Sequence, residues 1–230
     1  MKHTGEAGKA GRKLIWWTLV LLLAILGGGL FAMVLGSLIA MTTTVLIVVW
    51  FLFALFTLYF FRDPNPHVPA APDAIIAPAH GRVDAIEEIT ETEFMGGPCR
   101  RVSVFLSIFD VHVQYAPVAG RIDLSRYRPG QFLNAMKAES AIGNENVLLG
   151  IVSSEAAEEK IGVRLIAGWI ARRIVPWVEP GDTVARGERI SLIQFGSRCD
   201  LYLPLTARIR VKQGDKVRGG ETVIATRERA

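Results

Sequence analysis

The segment VEPGDTVARGERI, residues 178–190, returns as VKQGDKVRGGETV, residues 211–223. Gly-Asp, the following Val and Gly-Glu fall at matching positions, 33 residues apart. Glycine before aspartate suits a tight hairpin, and the second glycine admits a positive φ before the next strand. A second echo lies upstream, where APAHGRVDAI at 77–86 recurs as APVAGRIDLS at 116–125, offset by 39. Around both, the texture is short β-branched or apolar runs cut by Gly and Pro, such as RVSVFLSIFDVHV, VLLGIVSS, ERISLIQF and DLYLPL. Runs of this length predict a mostly β domain. One short helix is expected at FLNAMKAES, residues 132–140, where the residues are good helix formers.

The repeated hairpin is similar to the hammerhead element of lipoyl and biotinyl carrier domains, which implies a barrel-sandwich arrangement. No modifiable lysine stands in the central turn, so a carrier role is not supported.

The N-terminal quarter is a different material. Residues 14–61 contain no Asp, Glu, Lys, Arg or His. One membrane crossing takes about 20 apolar residues, so the run suits a transmembrane hairpin of two helices, turning near Gly27-Gly28-Gly29 or Gly36-Ser37. Lys2, Lys9, Arg12 and Lys13 precede it in a basic tail, residues 1–13, and Arg62 follows it. Positive charge at both ends of a hairpin predicts both ends in the cytoplasm. That tail carries most of the net charge of +4, so the basic pI reports topology and gives no nucleic-acid footprint. A proline-dense strap, residues 62–77, leads to the β domain at 78–230. Cys99 and Cys199 lack metal-site spacing and suit a reducing compartment.

QFGSRCDLYLP, residues 194–204, sets Gly196-Ser197 between two apolar runs. Taken alone this reads as an ordinary turn. In FDVHVQYAP, strand alternation would put Asp110 and His112 on one face; a carboxylate there can fix the imidazole tautomer, or both can face solvent. His80 sits in the turn APAHG. Tyr127, Trp169, Trp177 and Phe195 read as core.

The ordered set FFRDP (60–64), PAHG (78–81), SIFDVHVQYAPVAGRI (107–122), YRPGQFLNA (127–135), NEN (144–146), IAGWIARRIV (166–175) and GDTVARGERISLIQFGSRCDLYLP (181–204) resembles the short, membrane-associated phosphatidylserine decarboxylases. The resemblance implies self-cleavage between Gly196 and Ser197 into fragments 1–196 and 197–230, held as a heterodimer. Ser197 would become a pyruvoyl group, the electron sink that forms a Schiff base with phosphatidylserine in the bilayer and releases CO2, with neither metal nor pyridoxal phosphate. It implies His112 as the proton-transfer group, oriented by Asp110, and a site at the cytoplasmic face of the inner membrane. Arg172, Arg173 and Asn134 are the candidate substrate contacts, with Asn144 and Glu145 ordering a loop beside the site. Two positions depart from the family pattern. Tyr115 stands where larger members carry a second histidine, and His80 replaces the usual aspartate, with Asp84 as a nearby substitute. Two other readings follow from the same residues: a membrane-tethered β adaptor in which Gly-Ser is only a turn, and an uncleaved, inactive homologue.

Overall fold

The computed structural model describes residues 6–131, 143–157, 159–168, 173–194 and 197–228. Two compact units divide between Thr57 and Leu58. The first is helical. Helix α1 runs without interruption over Glu6–Phe60, 55 residues, which corrects the expected two-helix hairpin. The glycines at 27–29 and 36 each cost about 1 kcal/mol relative to alanine, but no proline or charged residue joins them to force a turn. The polar side chains beside them are satisfied inside the helix: Ser37 Oγ donates to the Val34 carbonyl, and Thr42, Thr43 and Thr44 donate to carbonyls four residues back. Large apolar side chains from Ile15 to Phe53 stay exposed on all sides. A helix apolar all round and unburied is compatible with lipid, and Ile15–Phe60 is long and apolar enough to cross a membrane. An unbroken helix of this length rises roughly 80 Å, so the basic residues at its two ends do not meet on one side through a turn.

The second unit is β. Its main sheet has the order β13 (Lys216–Val217), β2 (Gly81–Glu91), β3 (Gly97–Leu106), β11 (Ser197–Leu203), β7 (Lys160–Ala167), β6 (Asn146–Ser153), β5 (Gly120–Arg128) and β9 (Thr183–Val184). A second sheet orders β4 (Val113–Tyr115), β10 (Arg189–Gln194) and β8 (Arg173–Pro176); a third orders β1 (Ala74–Ile76), β14 (Val223–Thr226) and β12 (Arg208–Ile209). Neighbouring strands run antiparallel throughout. The inward faces share one core, including Val83, Ile122, Leu165 and Leu201. The expected helix at 132–140 falls outside the described residues.

Each copy of one sequence echo docks on a copy of the other. Gly181 donates to the Ile122 carbonyl and Ile122 donates to the Asp182 carbonyl, both at 2.8 Å. Gly214 and Val83, then Val83 and Asp215, repeat this at the same 2.8 Å. Asp182 and Asp215 each accept the backbone N–H three residues back, from Glu179 and Lys212, at 2.8 Å. Gly81 and Gly120 hold equivalent places in the two halves. A Cβ on Gly81 would meet the Phe105 carbonyl oxygen at 2.1 Å, and one on Gly120 would meet that of Val152 at 2.2 Å. The strands approach too closely there for any side chain.

The strap between α1 and β1 is extended and pinned to these hairpin turns. Arg189 Nε donates to Asp63 at 2.7 Å and Arg189 Nη2 to Asn65 at 2.9 Å. Arg186 and Arg227 hold the Pro72 carbonyl at 3.1 and 2.9 Å.

Candidate active site

Ser197 opens β11, the strand held between β3 and β7, in register with Leu106 on one side and Ala167 on the other. Paired residues of an antiparallel ladder share a face. The Ser197 side chain therefore lies on the inward face with Val104, Leu165, Cys199 and Leu201. It is fully buried, and its Oγ has no hydrogen-bond partner among the described residues. A buried hydroxyl left unpaired costs about 1–3 kcal/mol, and such an exception calls for a reason. Gly196 lies outside the described residues, as do Phe195, Trp169, Arg172 and Asn134.

The strand running into this point is held by the histidine segment. Ile193 donates its N–H to the His112 carbonyl at 3.1 Å. His112 is buried, with its ring against Phe60 at a centroid distance of 4.3 Å. Burial pushes its pKa down to about 4, against the opposing pull of Asp110. Its Nδ1 lies 2.9 Å from the Asp110 carbonyl oxygen. A carbonyl only accepts, so Nδ1 carries the proton and Nε2 is the unprotonated nitrogen.

Asp110 therefore orients His112 through its backbone. Residues 107–112 form a turn ahead of β4 rather than a strand, so the expected alternation of Asp110 and His112 does not apply. The Asp110 carboxylate closes that turn, accepting from the Ser107 N–H at 2.9 Å and the Ser107 hydroxyl at 2.7 Å.

His80 ends the turn before β2, half-buried, its ring edge-on to Tyr115 at 5.9 Å. Burial lowers its pKa, with Glu221 and Asp110 opposing. Gly81 follows it, tight against the β3 backbone one residue before Leu106. His80, Leu106, Ser197 and Ala167 thus lie along one edge of adjacent strands spaced about 4.8 Å apart. Asp84 is not part of this edge: its carboxylate turns to Arg198 at 3.3 Å, on the other face of the sheet.

Asn144, buried, donates to the Ala167 carbonyl at 2.8 Å, and Ala167 donates to the Glu145 carbonyl at 2.9 Å. The loop thus fixes the strand end facing Ser197. Arg173 is exposed on β8, paired in register with Gln194. A cavity of about 390 Å3 is lined by Gly81, Arg82, Phe105, Ser107, Asp110 and Lys216; Arg82 and Phe105 share a face with Arg198, so it lies on the side of the sheet opposite the Ser197 hydroxyl. Tyr127 and Trp177 are exposed rather than core; each stands near the end of its strand, beyond the packed layer. No three His, Cys, Asp or Glu side chains among the described residues converge as metal ligands do.

Sequence reasoning missed the outward face of β11. Arg198, buried, donates to Asp200 at 2.8 Å and to Ser103 at 2.7 Å. The signal was there in Arg-Cys-Asp: two opposite charges two apart in a strand share a face.

A family model for phosphatidylserine decarboxylase matches residues 53–225. The chain is 46% identical over 180 residues to a phosphatidylserine decarboxylase proenzyme of Desulfotalea psychrophila, covering 78% of this chain and 83% of that one. It is 40% identical over 195 residues to the proenzyme of Symbiobacterium thermophilum, covering 82% and 90%. For that of Carboxydothermus hydrogenoformans the identity is 42% over 192 residues, covering 83% and 87%.

Proposed function

The chain belongs to the phosphatidylserine decarboxylase family, and from that premise we propose that it cleaves itself at Gly196-Ser197 and converts phosphatidylserine to phosphatidylethanolamine and CO2. The observation that carries this reading is the Ser197 hydroxyl: fully buried, unpartnered among the described residues, and placed at the first residue of an enclosed strand.

In the proposed cleavage His112 Nε2 takes the Ser197 hydroxyl proton, and Oγ adds to the Gly196 carbonyl carbon. The C–N bond breaks as the ester forms, and the freed nitrogen of residue 197 takes a proton. Removal of the residue 197 α-proton then expels the Gly196 carboxylate and leaves dehydroalanine. Water enters, ammonia departs, and a pyruvoyl group caps the Arg198 nitrogen. This group fits a residue whose hydroxyl has no other engagement. It supplies the electron sink that amino-acid decarboxylation requires and that ordinary side chains lack. His80, kept neutral by burial, is a second base along the same edge. His112 also returns a proton to the product carbon. Arg173, with Arg172 beside it in sequence, takes the lipid phosphate, and Asn134 contacts the headgroup.

Fragments 1–196 and 197–230 stay together as a heterodimer, because β11 lies between β3 and β7. The apolar helix holds the β domain at the inner membrane, where a diacyl substrate need not be extracted into water. Two free cysteines favour the reducing, cytoplasmic face.

Intact mass under denaturing conditions tests the reading. Two chains are expected, the smaller starting at position 197 and blocked to N-terminal sequencing, and Ser197→Ala yields one chain without turnover. Decarboxylation by a single unbroken chain would overturn it.

A further inference from the structure

We propose that the turn over residues 107–110, with Phe109 at its tip, dips into the lipid surface, so that substrate enters the site sideways from the bilayer. The proposal rests on the reading above that a membrane lipid is the substrate.

Phe109 is 62% exposed. Phe60 and Phe94, by contrast, are buried. The Phe109 backbone is firmly held while its ring is left out. The Phe109 carbonyl accepts from Tyr59 Oη at 3.2 Å and from Arg62 Nη2 at 2.7 Å. Arg62 in turn lies over the Tyr59 ring at 4.0 Å. These donors belong to the end of α1 and the residues just after it, within the same compact unit as the β strands.

Tyrosine and arginine at the end of a long apolar helix mark headgroup depth, with ring or stem in the apolar layer and polar tip toward water. Leu58, Tyr59 and Phe61 are exposed around that level. Phe109 is one hydrogen bond from Tyr59, so its depth is tied to that of the helix end. A ring left in water by the β domain is a ring given to the acyl boundary. The same turn carries Asp110, whose carbonyl holds the His112 ring, and leads directly to His112. The site therefore opens at headgroup level.

The test uses the full chain in phosphatidylcholine–phosphatidylserine vesicles. Cys99 and Cys199 are fully buried, so Phe109→Cys provides one exposed thiol for an environment-sensitive fluorophore. Blue-shifted emission, quenched by lipids spin-labelled on the acyl chain, is expected; water-like emission without quenching overturns the proposal. This readout requires no turnover, so it stands apart from failure of the proposed chemistry, which intact mass reports. In a second arm, Phe109→Asp lowers turnover of bilayer phosphatidylserine about tenfold more than turnover of a water-soluble short-chain analogue. An equal effect on both substrates overturns entry from the bilayer.

Discussion

The Arg198 guanidinium and the Asp200 carboxylate meet at 2.8 Å on the face of β11 opposite the Ser197 hydroxyl, both almost completely enclosed. Asp84 at 3.3 Å and the Ser103 hydroxyl at 2.7 Å complete the set around Arg198. Chain ends normally fray. If the chain is cut before Ser197, residue 198 becomes the second residue of a new N-terminus, and this knot is what keeps that terminus in the sheet. A buried ion pair is costly to break because the survivor stays charged and unpaired. Asp200→Ala is accordingly expected to destabilise the β unit by about 3–5 kcal/mol, read as a fall in denaturant midpoint. The double replacement Arg198→Met with Asp200→Leu is expected to lose less, because no fully buried charge is left alone: Asp84 is partly exposed to water and Arg101 keeps Glu87.

Ser197→Ala removes a hydroxyl that has no partner among the described residues. The uncut variant is expected to fold and to be at least as stable as the serine precursor captured before cleavage, since it sheds an unmet desolvation penalty of about 1–3 kcal/mol. Thermal melting of the two proteins checks this. A Ser197→Ala chain that melts well below the precursor would mean the hydroxyl has a structural partner.

Burial holds the folded-state pKa of His112 at about 4, below its ordinary value of 6.5. Its stability contribution is thus complete above pH 6.5, where the ring is neutral folded or unfolded. As pH falls from 6.5 toward 4 the unfolded chain takes up a proton that the folded chain refuses, and about 3 kcal/mol is lost. His112→Gln should flatten that part of the stability profile, measured as the difference between the two proteins' urea midpoints. Self-cleavage, if His112 Nε2 is its base, should hold its rate down to about pH 5 and then fall. A midpoint at pH 6.5 would exclude this ring as the base.

The β class and the repeated turns were legible because each rests on local chemistry: Gly-Asp turns with positive-φ glycines at 181, 187, 214 and 220, and apolar runs of strand length. The pairing of one echo with the other was not legible, because register is a long-range property. Helix α1 was misread because apolar composition fixes membrane compatibility but not the number of turns. Asp110 lies near His112 as expected, yet its role passed from carboxylate to carbonyl once Ser107 claimed the side chain. Asp84 was drawn to Arg198 by a charge that sequence reading had left unassigned.

Gly81 and Gly120 occupy equivalent places, so alanine should act alike at both. Each added Cβ would lie 2.1–2.2 Å from a carbonyl oxygen of the neighbouring strand, far inside van der Waals contact. Losses of more than about 2 kcal/mol are expected at either position, through the displaced strand. Gly81→Ala should in addition slow self-cleavage, since it lies on the edge that carries Ser197, whereas Gly120→Ala should lose stability with less effect on cleavage. Parallel unfolding and cleavage time courses separate the two. Equal slowing by both would show that cleavage follows overall stability rather than this edge.

The segment beginning at residue 197 enters the fold in three places. Its first strand lies between β3 and β7, every residue buried; Lys216–Val217 pairs with β2; Val223–Thr226 pairs with β1. The strap ties it further, with Arg227 on the Pro72 carbonyl at 2.9 Å and Glu221 on the His67 N–H at 3.2 Å. Removing this segment would strip the sheet of its middle and bare a continuous apolar core. After cleavage the two pieces should therefore co-migrate through gel filtration in mild detergent and 1 M salt, which screens surface charge within about 3 Å but leaves buried pairing intact. They should part only at the denaturant concentration that unfolds the β unit, in a single transition followed by both fluorescence and fragment release. Release of the small fragment by salt alone would show that the strand pairing seen here does not survive the cut.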